Sequence, residues 1–397
     1  MMRDRPARPT NIGLVFLHTL AYYRRALRGV WRYAIARPQW ELTPIIPDAS
    51  ALQASSRFRP DGLIVTANTP QIIDALSGWR RPAVNVSAVI PGQRFPCVGV
   101  NNIEVGRMAA AHFLESGLQH FAFVGPPNQI FSSERQVAFC DAVAAAGSTA
   151  ACYVSRVPQQ FDPLGLHWDL EVDVQRWLRR LPKPVGVFTP NDLWGVQVLM
   201  ACRRAGLRVS EEVSVLGVDN DSLYCEMTRP ALSSVIIPAE QIGFEAVALL
   251  ERLLDGERPP SDPLLLPPIG VHRRRSTEIL AIEDEQVAAA VRFIRLHAGR
   301  AIQVEDVLRQ VPIGRRTLER RFRTLLGRGL ASEIEQTHLA LARRLLAETD
   351  LSMQAVATES GFQDYRHMAR VFRRQLDTTA TGYRDQVRHP ASRFPST

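Results

Sequence analysis

Two stretches of the C-terminal quarter carry arginines at a spacing suited to nucleic acid. In RRTLERRFR (315–323), Arg316, Arg320 and Arg323 recur at helical intervals, with Arg315 and Thr317 beside them at the start. In FQDYRHMARVFRR (362–374), Gln363, Arg366, His367, Arg370 and Arg374 form a second polar face. A guanidinium is a planar fork of N–H donors that reads the guanine edge and grips phosphate. Opposite the arginines run apolar residues: Leu318, Phe322 and Leu325 in the first stretch, and Tyr365, Met368, Phe372 and Leu376 in the second. A helix with one buried stripe and one basic face is the form that enters the major groove. Arg316 and Arg320 are the expected base readers. Arg321 and Arg323 are the expected phosphate contacts, which position without specifying.

Each stretch needs a scaffold, and the sequence supplies the same one twice. Val304–Val311 reads as a short helix before the turn Pro312-Ile313-Gly314. Ala355, Val356 and Ala357 sit in a second short helix, followed by Gly361 at the turn and Phe362 as a core plug. Between the units, Ser332–Ala347 reads as one continuous helix, roughly 24 Å long at 1.5 Å per residue. That length suits two recognition helices in successive major grooves, about 34 Å apart. One amphipathic basic helix fits an ordinary bundle; two with matching turns argue for DNA. From residue 281 onward there are 19 arginines against 14 acidic residues. The surplus is modest, so base contacts must add to simple phosphate attraction.

At 397 residues the chain exceeds one ordinary domain. The formal net charge of +8 favours an anionic partner, and Lys183 is the only lysine among 48 basic residues. The five cysteines (Cys97, Cys140, Cys152, Cys202, Cys225) are scattered without a C-x-x-C pair, which argues against a disulfide framework and a zinc site. The apolar run Ile12–Leu17 has strand length, too short for a signal-peptide core or a membrane span. The expectation is a soluble cytoplasmic protein with no membrane partner. There is no P-loop, G-x-G-x-x-G, nucleophile elbow or H-E-x-x-H, so an enzyme is disfavoured, and neither cofactor nor metal is expected.

Residues 11 to about 270 alternate apolar runs with helical segments. Expected strands are Ile12–Leu17, Gly62–Val65, Ala83–Val86, Phe121–Val124, Val185–Phe188 and Val213–Val218. Expected helices are Arg24–Ala36, Glu104–Ser116, Ser133–Ala146, Val172–Arg180, Leu193–Ala205 and Pro238–Leu254. This alternation predicts a parallel sheet in an α/β domain, and its length suits two doubly wound lobes. The proline-rich Gly256–Pro268 and the arginine run His272–Thr277 read as the irregular exit. A helix from Asp284 to about Ala298 then opens an all-α domain. The expected division is residues 1–277 and 278–397.

The final stretch resembles the AraC/XylS family of transcription regulators. The resemblance rests on RRTLERRF (315–322), LARRLLAETDLSMQAVA (341–357), SGFQDYRHMARVFRRQ (360–375) and Tyr383-Arg384. It implies a seven-helix DNA-binding domain with two helix-turn-helix motifs. The sequence departs from the family at Asp377 and Ala380, where glycine and proline are common. Residues 100–125, 132–139, 188–209, 213–221 and 228–235 are similar to the effector domain of LacI-type repressors, a two-lobed α/β fold of the type I periplasmic-binding-protein kind. That similarity implies a small ligand in the cleft between lobes. By motif it places Arg135 (SSERQ), Asn191 (PNDLWG) and Asp219 (GVDND) against the ligand. A polyhydroxylated ligand also needs an aromatic face; Tyr22 and Trp168 are the expected ones among Tyr22, Tyr23, Phe161, Trp168 and Trp194. Asp192 and Asp221 read equally well as helix or turn caps.

A LacI-like sensor placed before an AraC-type reader resembles the layout of xylose-responsive activators. It implies a sugar effector such as D-xylose, double-stranded operator DNA, RNA polymerase as a partner and a homodimer. A repressor, or the same architecture sensing a purine, stays open on the sequence.

Overall fold

The computed structural model describes residues 8–16, 20–48, 60–67, 70–87, 95–126, 129–154, 172–278 and 284–388. The order of elements begins with strand β1 (Thr10–Val15), helix α1 (Ala21–Ala34), β2 (Trp40–Ile45), β3 (Gly62–Val65), α2 (Pro70–Ala75) and β4 (Ala83–Asn85). The four strands pair in parallel in the order β2-β1-β3-β4. A bridge from Asn85 to Cys97 leads on to β5 (Val98–Val100).

The polypeptide then crosses into a second lobe. It comprises α3 (Asn102–Leu114), β6 (His120–Gly125), α4 (Ile130–Ala145), β7 (Ala150–Val154), α5 (Val172–Arg180), β8 (Val185–Phe188), α6 (Asp192–Ala205), β9 (Val213–Val218), α7 (Ser222–Met227) and β10 (Ser233–Ile236). Its six-stranded sheet runs β12-β10-β9-β8-β6-β7, with β12 (Gly270–His272) the one antiparallel member. Both lobes are therefore wound alike: the second strand lies outside the first, and the third and fourth lie on the other side. Strands β3, β8 and β9 are buried along their whole length, as parallel strands covered on both faces must be.

Helix α8 (Ala239–Leu254) returns to the first lobe and crosses α1. The crossing is backbone to backbone at two glycines: a Cβ at Gly29 or Gly243 would lie 1.8 Å from a carbonyl oxygen of the other helix. After α8 the expectation from sequence needs correction. The proline-rich Gly256–Pro268 is not only an exit, because Leu264–Leu266 forms β11 and pairs in parallel with β5. An apolar triplet suffices for a strand when an edge is waiting for it. Strands β2, β5, β7, β10, β11 and β12 were likewise not among the expected ones, being short or interrupted by proline and polar residues. Arg275–Thr277 ends this half as a 3-10 turn.

The remaining elements are helical: α9 (Glu285–Leu296), α10 (Val304–Leu308), α11 (Arg315–Leu326), α12 (Leu330–Glu348), α13 (Met353–Glu359), α14 (Tyr365–Leu376) and α15 (Ala380–Arg388). Two separate cores form. Val287, Val291, Val307, Leu318, Phe322, Leu330 and Ile334 make one; Leu339, Ala342, Leu346, Val356, Phe362, Met368 and Phe372 make the other. The long helix α12 supplies its N-terminal half to the first and its C-terminal half to the second. Leu325, expected in the buried stripe, is 46% exposed; Leu326 packs against the core instead. At 100° per residue Leu325 and Leu326 flank the Leu318–Phe322 face on opposite sides, about 40° and 60° from its centre, so the neighbouring helices rather than the spacing decide which of the two is covered. Among the described residues, no helix is long and apolar enough to cross a membrane.

The five cysteines are free thiols. The fold nevertheless brings two distant ones together, with Cys140 Sγ and Cys152 Sγ 3.5 Å apart.

Candidate functional site

Ligands of doubly wound sheets sit beyond the carboxyl ends of strands where the strand order reverses. In the second lobe those ends are β6, β8 and β9, and each leads to one expected ligand residue: Arg135, Asn191 and Asp219.

Arg135 lies on α4, which approaches α3 closely because Gly106 has no side chain; a Cβ there would sit 2.5 Å from the Arg135 carbonyl oxygen. The approach places Asn102, at the head of α3, beside the guanidinium. Arg135 Nε donates to Asn102 Oδ1 over 2.9 Å, and Asn102 Nδ2 donates to Glu134 Oε2 over 2.8 Å. Nη1 donates to the Pro190 carbonyl, and the ring of Phe131 lies 5.2 Å from the guanidinium carbon. The residue is 4% exposed. Burial opposes its charge, and Asp219 and Tyr22 lead the groups that restore it. Among the described residues Nη2 makes no hydrogen bond, so one prong of the fork is uncommitted.

Asn191 caps α6, its Oδ1 accepting from the Trp194 N–H at 3.0 Å; only its amide NH2 is left for a ligand. Asp221 caps α7 through Leu223 N–H at 3.1 Å. Asp192 is not the cap of its helix. It is 2% exposed, accepts from Ser234 Oγ at 2.5 Å and from Asp221 N–H at 2.7 Å, and burial pushes its carboxyl well above the usual range. It is a strut beneath the cleft loop, a role the two adjacent polar residues Asn191-Asp192 did not reveal.

Asp219 takes φ +106°, a conformation uncommon for non-glycine residues, and Asn220 follows at +52°. Burial raises the Asp219 carboxyl to about 7, while Arg135 and Arg25 pull it down.

The first lobe reaches this loop through the start of α1. Tyr22 donates its hydroxyl to the Val86 carbonyl over 2.7 Å and stands edge-on to Tyr23 with ring centroids 5.1 Å apart. Burial raises its pKa first, and the charges of Asp219 and Arg135 both reach it. Arg25 Nη1 donates to the Asp219 carbonyl at 3.0 Å. The Ala21 N–H reaches Asp221 Oδ2 at 3.3 Å, and Arg24 Nη2 lies 3.6 Å from the same oxygen. Arg24 and Arg25 were missed on the sequence. A signal was present: two cations in a helix's first turn oppose its dipole and call for another purpose. Trp168 and Phe161 lie outside the described residues. Trp194 is half-buried against the second-lobe core.

On the helical half, Arg316, Arg320, Arg323, Gln363, Arg366, Arg370 and Arg374 are exposed, while Thr317 and His367 are half-buried. Several are already engaged. Arg315 pairs with Glu305 and Glu319 at 2.9 and 3.0 Å. Arg374 pairs with Glu335 on α12. Arg321 reaches Asp284 at 2.9 Å, tying α11 to the start of α9 rather than standing free for phosphate. His367 faces inward, its ring 5.3 Å from that of Phe362. Among the described residues, Arg316, Arg320, Arg323, Arg366 and Arg370 find no ion-pair partner, so their forks are open. Both recognition helices end in a left-handed residue, Gly327 at φ +68° and Asp377 at φ +50°. Ala380, fully buried, begins α15.

Two lobes that close on a polar cleft, followed by paired helix-turn-helix units with open arginine faces, define a ligand-sensing DNA-binding transcription regulator. Residues 110–277 match the periplasmic binding protein-like domain, and residues 307–386 match a helix-turn-helix domain. The xylose operon regulatory protein of Escherichia coli (strain K12) is 31% identical over 94% of this sequence and 97% of its own length. Its counterpart in Haemophilus influenzae is 27% identical over 94% and 98%. A solved structure of the xylose-binding transcription activator xylR matches 96% of this sequence and 99% of its own, at 31% identity and a TM-score of 0.59. The protein belongs to the family of the xylose operon regulatory protein, whose members are transcription regulators and not enzymes.

Proposed function

We propose that this protein is a sugar-responsive transcription activator, with D-xylose as its effector. The observation that carries the reading is convergence: Arg135 and Asp219 from the second lobe and Tyr22 from the first meet in one buried polar cleft. An uncommitted guanidinium prong, a carboxyl and an aromatic ring are what a compact polyol requires. Asn191 would add its amide NH2. The choice of xylose comes from the relatives, which are named for it.

In this reading residues 1–277 sense and residues 278–397 read operator DNA in the cytoplasm. Sugar stabilises the closed pair of lobes, and that state favours a homodimer arrangement that sets paired readers on adjacent sites and engages RNA polymerase. The ligand acts only through its different affinity for the two states. Arg316, Arg320, Arg366 and Arg370 contact bases or phosphates, while Arg315 and Arg374 brace their helices.

Calorimetry on the full-length protein tests this, with D-xylose, D-ribose, L-arabinose, D-glucose and a purine nucleoside. Saturable binding of D-xylose alone supports the reading. Binding of the nucleoside alone replaces the effector class, and heat from none of them overturns it.

A further inference from the structure

The loop that ends β9 touches three bodies in three consecutive residues. Asp219 faces the cleft, and its carbonyl is held by Arg25 of the first lobe. Asp221 is held by Ala21 and Arg24 of the same lobe. Asn220, between them, points the other way. Its Nδ2 donates to Glu348 Oε1 over 3.0 Å, and its Oδ1 accepts from Arg274 Nη2 over 2.8 Å. The amide orientation is fixed by chemistry, because a carboxylate only accepts and a guanidinium only donates.

We propose that Asn220 is the positioning residue through which cleft occupancy reaches the DNA-reading half, acting on Glu348 at the end of the linker helix. The proposal rests on the effector reading above and adds the route of its signal.

The backbone of Asn220 is anchored in the cleft. Its N–H donates to Ser234 Oγ at 2.9 Å, and Ser234 Oγ donates to Asp192 Oδ1 at 2.5 Å. With φ at +52° the residue has little freedom to relax independently. A shift of Asp219 against a ligand must therefore move the Asn220 amide. Among the described residues, no other member of the 219–221 loop bonds the helical half.

Glu348 is the last residue of α12. A carboxylate there opposes the helix dipole; besides Asn220 it faces Arg344, four residues earlier on the same helix, whose charge it supports. The same end of α12 supplies Ala342 and Leu346 to the core that seats Met368 and Phe372 of α14. A pull at Glu348 is thus applied to the support of the second recognition helix. Arg274 completes the clamp from the segment between β12 and the 3-10 turn, also donating Nη1 to the Leu232 carbonyl at 3.0 Å.

The test is hydrogen–deuterium exchange on the full-length protein, with and without D-xylose. Asn220→Asp keeps the shape, tolerates the left-handed backbone and still accepts from Arg274, but sets a like charge against Glu348. In the unmodified protein, added D-xylose slows exchange in the Arg135 helix and also in residues 341–349. In Asn220→Asp the first protection stays and the second falls by about tenfold or more, the weight of one charge-assisted bond. Adding Glu348→Gln, which donates to the new carboxylate, restores it. Undiminished protection at 341–349 in Asn220→Asp overturns the proposal. If D-xylose protects neither segment of the unmodified protein, the effector reading falls. The route is then decided without ligand: faster exchange at 341–349 in Asn220→Asp, reversed by Glu348→Gln, upholds it, and equal exchange ends it. Should Asn220→Asp fail to fold, Glu348→Ala at the exposed end gives the same readouts.

Discussion

Arg135 Nε donates to Asn102 Oδ1 over 2.9 Å, with the Asn102 amide itself fixed by Glu134. The guanidinium therefore reaches the cleft already oriented, and little side-chain entropy is left to lose when a ligand arrives. Arg135→Ala should abolish the effector response while leaving basal DNA binding nearly unchanged. Asn102→Ala frees the fork without removing it, so sugar affinity should fall by roughly tenfold, close to the value of one hydrogen bond to a charged group. Calorimetry on both variants decides. Sugar affinity that survives Arg135→Ala would remove the residue from the site.

Asp219 yields a pH dependence with a definite sign. Burial raises its carboxyl from 3.8 to about 7. The folded protein then holds the proton more tightly than the unfolded one. The resulting stability is full below the unfolded pKa and is lost as pH rises through about 7. Sugar hydroxyls donate to the ionised form, so affinity should move the opposite way, rising roughly tenfold from about pH 6 to 8 as the carboxylate fills. Asp219→Asn should flatten both trends. A binding constant indifferent to pH in the unmodified protein would show that Asp219 does not meet the ligand as a carboxylate.

Much of this was legible because periodicity survives in long elements. Arg315–Leu326 appears with the bounds expected of it, and β3, β8 and β9 match as well, since their apolar runs are bounded by glycine, proline or charge. The residues that complete the cleft were less accessible. Asn102 and Arg25 act through partners about 30 and 200 positions away, respectively, and no local pattern encodes such pairs. The lobe crossovers were hidden for a similar reason: Leu264–Leu266 becomes a strand only because β5 offers an open edge. Arg321 and Arg374 looked free on a helical wheel, but their partners Asp284 and Glu335 come from neighbouring helices.

Asp377 stands where relatives of the helix-turn-helix fold commonly have glycine, and its backbone explains both choices. At φ +50° it caps α14 in the left-handed region, as Gly327 caps α11 at +68°. Glycine adopts that region freely, aspartate at moderate cost and alanine at more. Asp377→Gly should hold or raise the stability of the helical half, while Asp377→Ala should lower it by about 1 kcal/mol. Denaturant titration, followed on the transition of the helical half, measures both. An alanine variant as stable as the glycine one would contradict the backbone account.

Arg320 and Arg321 are neighbours with opposite commitments. Arg320 is exposed on the outer face of α11 with no ion-pair partner among the described residues, whereas Arg321 is 2.9 Å from Asp284. Asp284 also caps α9, accepting from the Gln286 and Val287 N–H groups at 3.0 and 3.2 Å, so the Arg321 pair ties the first reading unit to the opening helix. Arg320→Ala should cost about 1–3 kcal/mol on the preferred duplex and relax one base position. Arg321→Ala should leave base preference intact and cost less than about 1 kcal/mol of stability, the weight of an exposed pair. Selection from a random-sequence duplex pool, followed by titration on selected and scrambled duplexes, separates the two. If Arg320→Ala weakens both duplexes equally, the side chain touches only phosphate, and base reading in this unit passes to Arg316.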